Sequence, residues 1–534
     1  MAGLLQEYVT RQAEARPEAS ALVHDAERLT YGDLERRSNR LARLLREGGC
    51  RRGDRIGLLL PKSPAAIVSM LAALKAGCIY VPVDPESPST RVVRILTAAD
   101  CRYLLVSRAD LPIVRDLTSQ HTDLISGRLV WMGSETPPDL GIEPALSLSD
   151  SAAMPDSALG SDGDSSDPAH LLFTSGSTGI PKGVMVAHAN VTAFVEWANA
   201  YCGLAPDDRT SCHSPLHFDL STWDVYGAFA AGAELHLVSP ELNLFPGRLV
   251  EFIRSHGLTQ WFSVPSVLTY LTRFDAVRTG DFPELKRLLW CGEVFPTPAL
   301  KYWMERLPHV SFTNLYGPTE TTIASSYYTV PAPPQDPEQR IPIGAPCAGE
   351  ELLILDDARA PVRPGDIGEI CIRGAGVTLG YWRDEEKTAR AFLPCADRPG
   401  ERMYTTGDRG FRGPDGLVYC VGRADSQIKS RGHRIELGEI ETALHTLAEI
   451  GQAAVVARRT DGFGGVEICC AYVPKDRVEL SPSQVREGLA RLIPKYMLPA
   501  RWRHLAEFPR NANGKVDRVA LVEMFDQEAA GPGT

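Results

Sequence analysis

Between Leu171 and Asn190 the chain reads LLFTSGSTGIPKGVMVAHAN, and its residue types suit the holding of a phosphate chain. Thr174, Ser175, Gly176, Ser177, Thr178 and Gly179 follow one another without a break. Glycines and small residues let backbone N–H groups converge on one point, and the hydroxyls add donors. Lys182 supplies a mobile positive charge for a terminal phosphate. The stretch is not a Walker loop, because Pro181 precedes Lys182 and Gly183 follows it. A Ser/Gly surface hairpin is the plain alternative for the same residues.

Other charged side chains stand in turns, each with an ordinary reading beside a chemical one. Asp219 precedes an amphipathic segment, Ser221 to Phe229, and by pattern alone could be a helix N-cap. Asp408, ahead of the turn Gly413-Pro414-Asp415-Gly416, could accept a pair of hydroxyls or lie exposed in a loop. Glu320 ends a Gly317-Pro318 turn, where a solvated carboxylate is ordinary. Lys515 follows Asn513-Gly514, a turn that can present a lysine at its tip, solvated or not.

These residues need a scaffold, and the pattern along the chain points to α/β layers with mostly parallel sheets. The apolar run Leu171-Leu172-Phe173 suits a short buried strand before the loop, and a second apolar run, Gly183 to Ala187, leads away from it. Residues 29–48 place Leu34, Leu41, Leu44 and Leu45 on one helical face and arginines on the other. IGLLL at 56–60 reads as a buried strand. A helix from Ala65 to Ala76 follows, apolar almost all round, with Ser63-Pro64 opening it and Gly77 ending it. Residues 146–168 are rich in Ser, Asp and Gly and read as a solvated loop or linker. After about residue 330, short runs such as ELLIL and EICIRG between Pro/Gly turns indicate a β-rich part. The last hundred or so residues read as a compact α/β unit. Its strands are AAVVARR and EICCAYVP, and its helix runs from Ser481-Pro482 through Val485, Leu489 and Leu492 to a stop at Pro494.

Bulk properties narrow the function classes. At 534 residues the chain needs two or more domains, and 44% hydrophobic with 23% charged residues is ordinary for a globular protein. The net charge of -11 disfavours nucleic acid and anionic lipid as partners. No secretory signal and no membrane-length apolar run is seen, and the 12 cysteines form no CxxC pair, so a reduced cytoplasmic setting is expected.

The ordered motifs resemble those of the adenylate-forming enzymes, and among these the amino-acid adenylation domains of nonribosomal peptide synthesis. They are LTYGDL at 29–34, LKAGCIYVPVDP at 74–85, the Leu171–Asn190 stretch, FDLSTWDVYG at 218–227 and NLYGPTE at 314–320. GEICIRGAGVTLGYW at 368–382, YTTGD at 404–408, GRADSQIKSRGHRIELGEIE at 422–441, LIPKYMLP at 492–499 and NANGKVDR at 511–518 complete the series. The resemblance implies a large N-terminal part, residues 1–424, of two helix-flanked sheets and a small β-rich subdomain. It implies a hinge at Asp425 and a small mobile α/β domain over 426–534.

The implied reaction joins a carboxylate to the α-phosphate of ATP, releases pyrophosphate, and passes the acyl group to a thiol. By resemblance the loop from Thr174 to Gly179 with Lys182 holds the β- and γ-phosphates. Glu320 is the magnesium ligand, Thr319 reaches the phosphate, Tyr316 stacks on adenine, and Gly292 and Glu293 line that pocket. Asp408 and Arg423 take the ribose, and Lys515 bridges the carboxylate and the α-phosphate. One departure is Cys420, where members often carry an aromatic residue.

Asp219 in this family receives the α-ammonium of the substrate, which favours an amino acid over a fatty or aryl acid. Pocket positions carried over by motif are Asp219, Leu220, Trp223, Ser263, Leu289, Cys291, Leu315, Ile323 and Ala324, with Lys515. Only Asp219 and Lys515 among them are charged, so a charged substrate side chain would lack a partner. The pattern implies a small neutral amino acid, alanine first, then serine or glycine. With 19 residues after Lys515 and no carrier-type serine motif, the expected acceptor is the phosphopantetheine thiol of a separate carrier protein. The competing expectations are an acyl- or aryl-CoA ligase of the same superfamily and a non-catalytic adenylate-binding scaffold.

Overall fold

A computed structural model describes residues 3–133, 135–160, 162–176, 181–395, 397–423, 426–460, 465–475, 480–510 and 516–530. The chain forms two compact units. One gathers Met1–Pro85, Leu96–Phe173 and Gly183–Ala424; the other gathers Glu86–Ile95, Thr174–Lys182 and Asp425–Thr534.

In the first unit a nine-stranded sheet runs in the order 345–346, 326–329, 311–316, 287–291, 260–263, 209–212, 234–237, 20–24, 27–30. Its centre is parallel, with Phe262 opposite Leu289 and Cys291 opposite Leu315, and hairpins cover both edges. An eight-stranded sheet runs 380–381, 182–187, 168–174, 79–82, 55–59, 101–106, 129–131, 146–147. One apolar core joins residues of both sheets and includes the helices Pro64–Lys75 and Leu220–Ala231. The first of these is apolar almost all round because it has no solvent face. Ser63 accepts from the Ala66 amide at its start, and Gly77 turns left-handed at φ 78° after its end.

The β-rich expectation after residue 330 corresponds to a five-stranded sheet of Glu350–Leu355, Gly368–Gly374, Phe392–Pro394, Arg402–Arg412 and Val418–Arg423. In the second unit Ile450–Arg459 and Val466–Pro474 pair antiparallel, and Arg501–His504 adds in parallel. Ser481 caps Pro482–Ala490 through a reciprocal bond with Gln484, and that helix ends four residues before Pro494.

Two expectations need correction. Residues 146–168 are not simply solvated. Leu146–Ser147 forms an edge strand, Leu148–Ala153 a 3-10 turn, and the chain beyond is held by the polar side of helix Tyr31–Glu47. Asn39 donates to the Asp156 carbonyl, Arg40 pairs with Asp156, and Arg43 donates to Ser157. A polar segment on a polar helix face has no apolar period to betray it. The segment after Asp219 is also not amphipathic: Ser221, Thr222 and Asp224 are as buried as the apolar residues beside them.

Candidate active site

Strand Ser311–Tyr316 delivers its last residues into a tight loop, and two features force its course. A Cβ on Gly317 would lie 2.6 Å from Ala324 Cα and 2.9 Å from the Ser325 nitrogen, so only glycine admits the approach. Thr322 and Ile323 are both left-handed, at φ 59° and 71°, a conformation costly for β-branched residues, at about 1–3 kcal/mol each. Surrounding bonds offset that cost. Thr322 Oγ1 donates to the Gly376 carbonyl at 2.7 Å, and the Gly376 amide donates to Glu350 Oε1 at 2.6 Å. Burial pushes the Glu350 carboxyl up to about 8, against the lowering effect of that amide.

The loop buries Glu320 completely, and Tyr381 donates its hydroxyl to Glu320 Oε1 at 2.8 Å. Tyr381 lies within the GEICIRGAGVTLGYW stretch at 368–382, where nothing in the sequence marks it apart from its neighbours. Thr319 donates to Asp219 Oδ2 at 2.7 Å. Asp219 therefore stands beside the Glu320 loop. It makes no side-chain cap to helix Leu220–Ala231 and is itself helical, at φ -61° and ψ -30°. Its ordinary reading as an N-cap does not apply.

Leu220, Trp223, Leu289, Cys291, Leu315, Ile323 and Ala324 all belong to the core shared by the two large sheets. Cys291 Sγ points at the Ile323 carbonyl, 3.6 Å away. Ser263 is not among them. It pairs in register with Trp290, accepts from the Trp261 indole at 2.9 Å and donates to the Val264 carbonyl at 3.3 Å. Trp261 and Trp290 belong to a separate core on the other face of the sheet. The residue that shares the face of Leu289 is Phe262, which meets Trp223 edge-on at 5.2 Å. Period-two alternation along Gln260–Ser263 was the signal that could have found it.

Further along, Tyr316 donates to Asp408 Oδ2 at 2.6 Å and Arg423 to Asp408 Oδ1 at 2.9 Å. Burial, with the Asp408 charge beside it, holds the Tyr316 phenol well above its usual range, so it stays a donor. Strands 402–412 and 418–423 set this pair directly, since Asp408 and Arg423 are register partners. Cys420 packs against the cluster that contains Tyr316. Gly292, at φ 95°, turns the chain after strand Arg287–Cys291 in a way only glycine takes without strain. Glu293 Oε2 accepts the Ser266 amide at 3.1 Å, in the first turn of helix Pro265–Arg273.

In the second unit Thr174 ends its strand with a buried hydroxyl that has no hydrogen-bond partner among the described residues. Ser175 donates to the Arg434 carbonyl, Gly176 is buried, and Lys182 opens the next strand. Ser177, Thr178, Gly179, Asp425 and Lys515 lie outside the described residues. An orphan hydroxyl in the glycine-rich loop suits a phosphate acceptor. A single buried carboxylate such as Glu320 suits Mg²⁺, which takes one or two carboxylates along with substrate phosphates. Among the described residues no group of three or more potential ligands forms a metal site by itself, and no helix is long and apolar enough to cross a membrane.

A family model described as "AMP-binding enzyme" matches residues 9–382, and one described as "AMP-binding enzyme C-terminal domain" matches 439–515. Tyrocidine synthase 3 of Brevibacillus parabrevis is 35% identical over 99% of this chain and 8% of its own length. Tyrocidine synthase 1 of the same organism is 32% identical over 96% of this chain and 44% of its own. The chain thus spans less than half the length of these curated relatives. Among solved structures, IdnL1 is 27% identical with a TM-score of 0.78, over 95% of this chain and 99% of that one. The Vibrio cholerae adenylation domain AlmE, solved with glycyl-adenosine-5'-phosphate, matches in fold. Its TM-score is 0.84 at 23% identity, over 99% of this chain and 98% of that one.

Proposed function

The chain belongs to the AMP-binding enzyme family and has the adenylate-forming fold, and from that premise we propose that it is an amino-acid-activating ligase. It uses ATP to convert a small neutral amino acid into its aminoacyl adenylate, with alanine favoured and serine or glycine next. It then passes the aminoacyl group to the phosphopantetheine thiol of a separate carrier protein in natural-product biosynthesis. The observation that carries this reading is the Asp219 carboxylate, which caps no helix and is joined to Thr319 at 2.7 Å, beside buried Glu320 and an apolar cluster. A substrate ammonium buried against apolar walls needs such a fixed carboxylate. Trp223 and Phe262, both fully buried, favour a short side chain.

At the nucleotide end, Asp408 retains acceptor capacity on both oxygens for ribose hydroxyls while Tyr316 and Arg423 hold it in place. Glu320 would hold Mg²⁺, which supplies neutralisation of the phosphate charge when bound. Thr174 to Gly179 and Lys182 would hold the departing pyrophosphate, and Gly292 and Glu293 would border the adenine. Lys515 would lie at the carboxylate and the α-phosphate, where positive charge offsets that of the transition state. Asp425 would serve as the hinge between residues 1–424 and 426–534. A carrier acceptor gains support from the likeness to holo-PA1221, described as a protein with adenylation and PCP domains. It is 26% identical, with a TM-score of 0.79, over 98% of this chain and 84% of that one.

Amino-acid-dependent ATP–pyrophosphate exchange across the twenty amino acids tests the proposal. Exchange led by alanine, serine or glycine is expected. Exchange only with aryl or fatty acids overturns it in favour of a CoA ligase, and none at all in favour of a binding scaffold. Lys515→Ala is expected to abolish exchange while ATP still binds by calorimetry.

A further inference from the structure

Trp223 is a fully buried pocket residue, and its position is set by more than packing. Its indole N–H donates to Asn199 Oδ1 at 3.0 Å, and Asn199 Nδ2 donates to the Gly227 carbonyl at 2.8 Å, one turn further along Trp223's own helix. A Cβ on Gly227 would stand 2.5 Å from Trp223 Cδ1 and 2.6 Å from Nε1, so the ring lies directly against the bare glycine. Phe194 and Phe262 meet the ring edge-on at 6.0 and 5.2 Å. Asn199, on helix His188–Cys202, falls within none of the sequence motifs. It also lines a cleft of about 260 Å³ with Tyr8, Gln12, Val195 and Ala230.

From this geometry we infer that Asn199 is a positioning residue that sets the depth of the side-chain pocket by holding the Trp223 indole in place. The inference rests on the reading of Asp219 and the apolar cluster as the amino-acid site. The amide acts twice: its oxygen takes the indole N–H, and its nitrogen ties that bond to the backbone of the same helix. A buried indole N–H without an acceptor is costly, so removal of the amide releases the ring to seek one. The vacated side-chain volume adjoins the existing cleft, which gives the ring somewhere to go. A ring displaced that way lengthens the pocket, and one methylene of extra room is worth about 10–200-fold in selectivity. Asn199→Asp keeps an oxygen in reach of the indole but loses the donor to the Gly227 carbonyl, so it holds the ring only in part.

The test compares wild type, Asn199→Ala and Asn199→Asp in ATP–pyrophosphate exchange with alanine, 2-aminobutyrate and norvaline. For Asn199→Ala the kcat/KM ratio of norvaline to alanine rises about tenfold or more, the lower bound for one methylene. Asn199→Asp, which keeps the indole acceptor alone, gives a ratio between those of wild type and Asn199→Ala. A merely structural role lowers activity toward all three substrates alike, and an unchanged ratio in a folded Asn199→Ala overturns the inference. If Asn199→Ala does not fold, Asn199→Ser replaces it with the same expectation. The indole ¹⁵N–H spectrum separates this inference from the reading beneath it. The Trp223 signal, identified by its loss in Trp223→Phe, moves toward that of an unbonded indole in Asn199→Ala and keeps the shift of a hydrogen-bonded indole in Asn199→Asp. Wild type that exchanges with no amino acid removes the pocket reading, and the indole signal then decides the Asn199 tie by itself. A signal unmoved in Asn199→Ala overturns it.

Discussion

Around Asp408 the protein places a donor on each carboxylate oxygen, whereas around Trp223 it surrounds one polar atom with hydrocarbon. The first region is two register-paired strands that set Asp408 against Arg423, joined by Tyr316 from the end of strand Ser311–Tyr316. The second is a helix, a sheet face and a strained loop brought together from residues far apart in sequence. A polar region of this kind tolerates few changes of type, because each removal strands a buried partner. An apolar pocket tolerates changes of size at modest cost, so under the proposed function it is where substrate preference would be adjusted.

The sharpest break between the two regions is Asp219→Ala. On the proposed role of half-buried Asp219 as partner of the substrate ammonium, its loss from the substrate-covered site costs about 3–5 kcal/mol, so kcat/KM for the amino acid is expected to fall by about a hundredfold or more. ATP binding by calorimetry stays near wild type. Arg423→Met strikes the other end: loss of one charged hydrogen bond to Asp408 is worth about 1.5–3 kcal/mol and raises KM for ATP about tenfold. Amino-acid preference in that variant is unchanged. Equal effects on both substrates in either variant would erase the contrast.

Glu350 sharpens it through pH. Its folded carboxyl sits at about 8 against an ordinary 4.5, with burial as the first cause. The folded state therefore keeps a proton that the unfolded state has lost. Stability from this group falls as pH rises from about 4.5 to about 8 and is level above that. Glu350→Gln retains an oxygen for the Gly376 amide and is expected to flatten that part of the melting-temperature profile, with a higher Tm at pH 8 than wild type. The smallest effect is expected for Ser263→Ala. Its hydroxyl bonds to Trp261 and Val264 rather than facing Leu289, so alanine-over-serine selectivity stays at wild type. The Tm drops slightly, in line with about 1 kcal/mol for a buried hydrogen bond. A change in selectivity there would return Ser263 to the pocket.

Much of the scaffold was legible because it is local. Ser63-Pro64 and Ser481-Pro482 announce helix starts, ELLIL and EICIRG read as strands, and the structure places elements at each. The polar segment at 146–168 reads as a solvated loop because its partner, the arginine face of helix Tyr31–Glu47, lies over a hundred residues away. The same limit applied to Ser263 and Phe262, where motif position outweighed strand alternation.

By itself the sequence determined the kinds of chemistry present: a hydroxyl-glycine run with a lysine, single carboxylates in turns, and a set of pocket positions uncharged apart from Asp219 and Lys515. Only the tertiary structure decided which groups meet. It joined Thr319 to Asp219, Tyr381 to Glu320 and Asn199 to Trp223, and it turned Ser263 away from Leu289. Residue type fixes what a side chain can donate or accept. Its partner depends on register, helix packing and the few positive-φ positions that redirect a loop, and these arise from contacts between segments that no local pattern encodes.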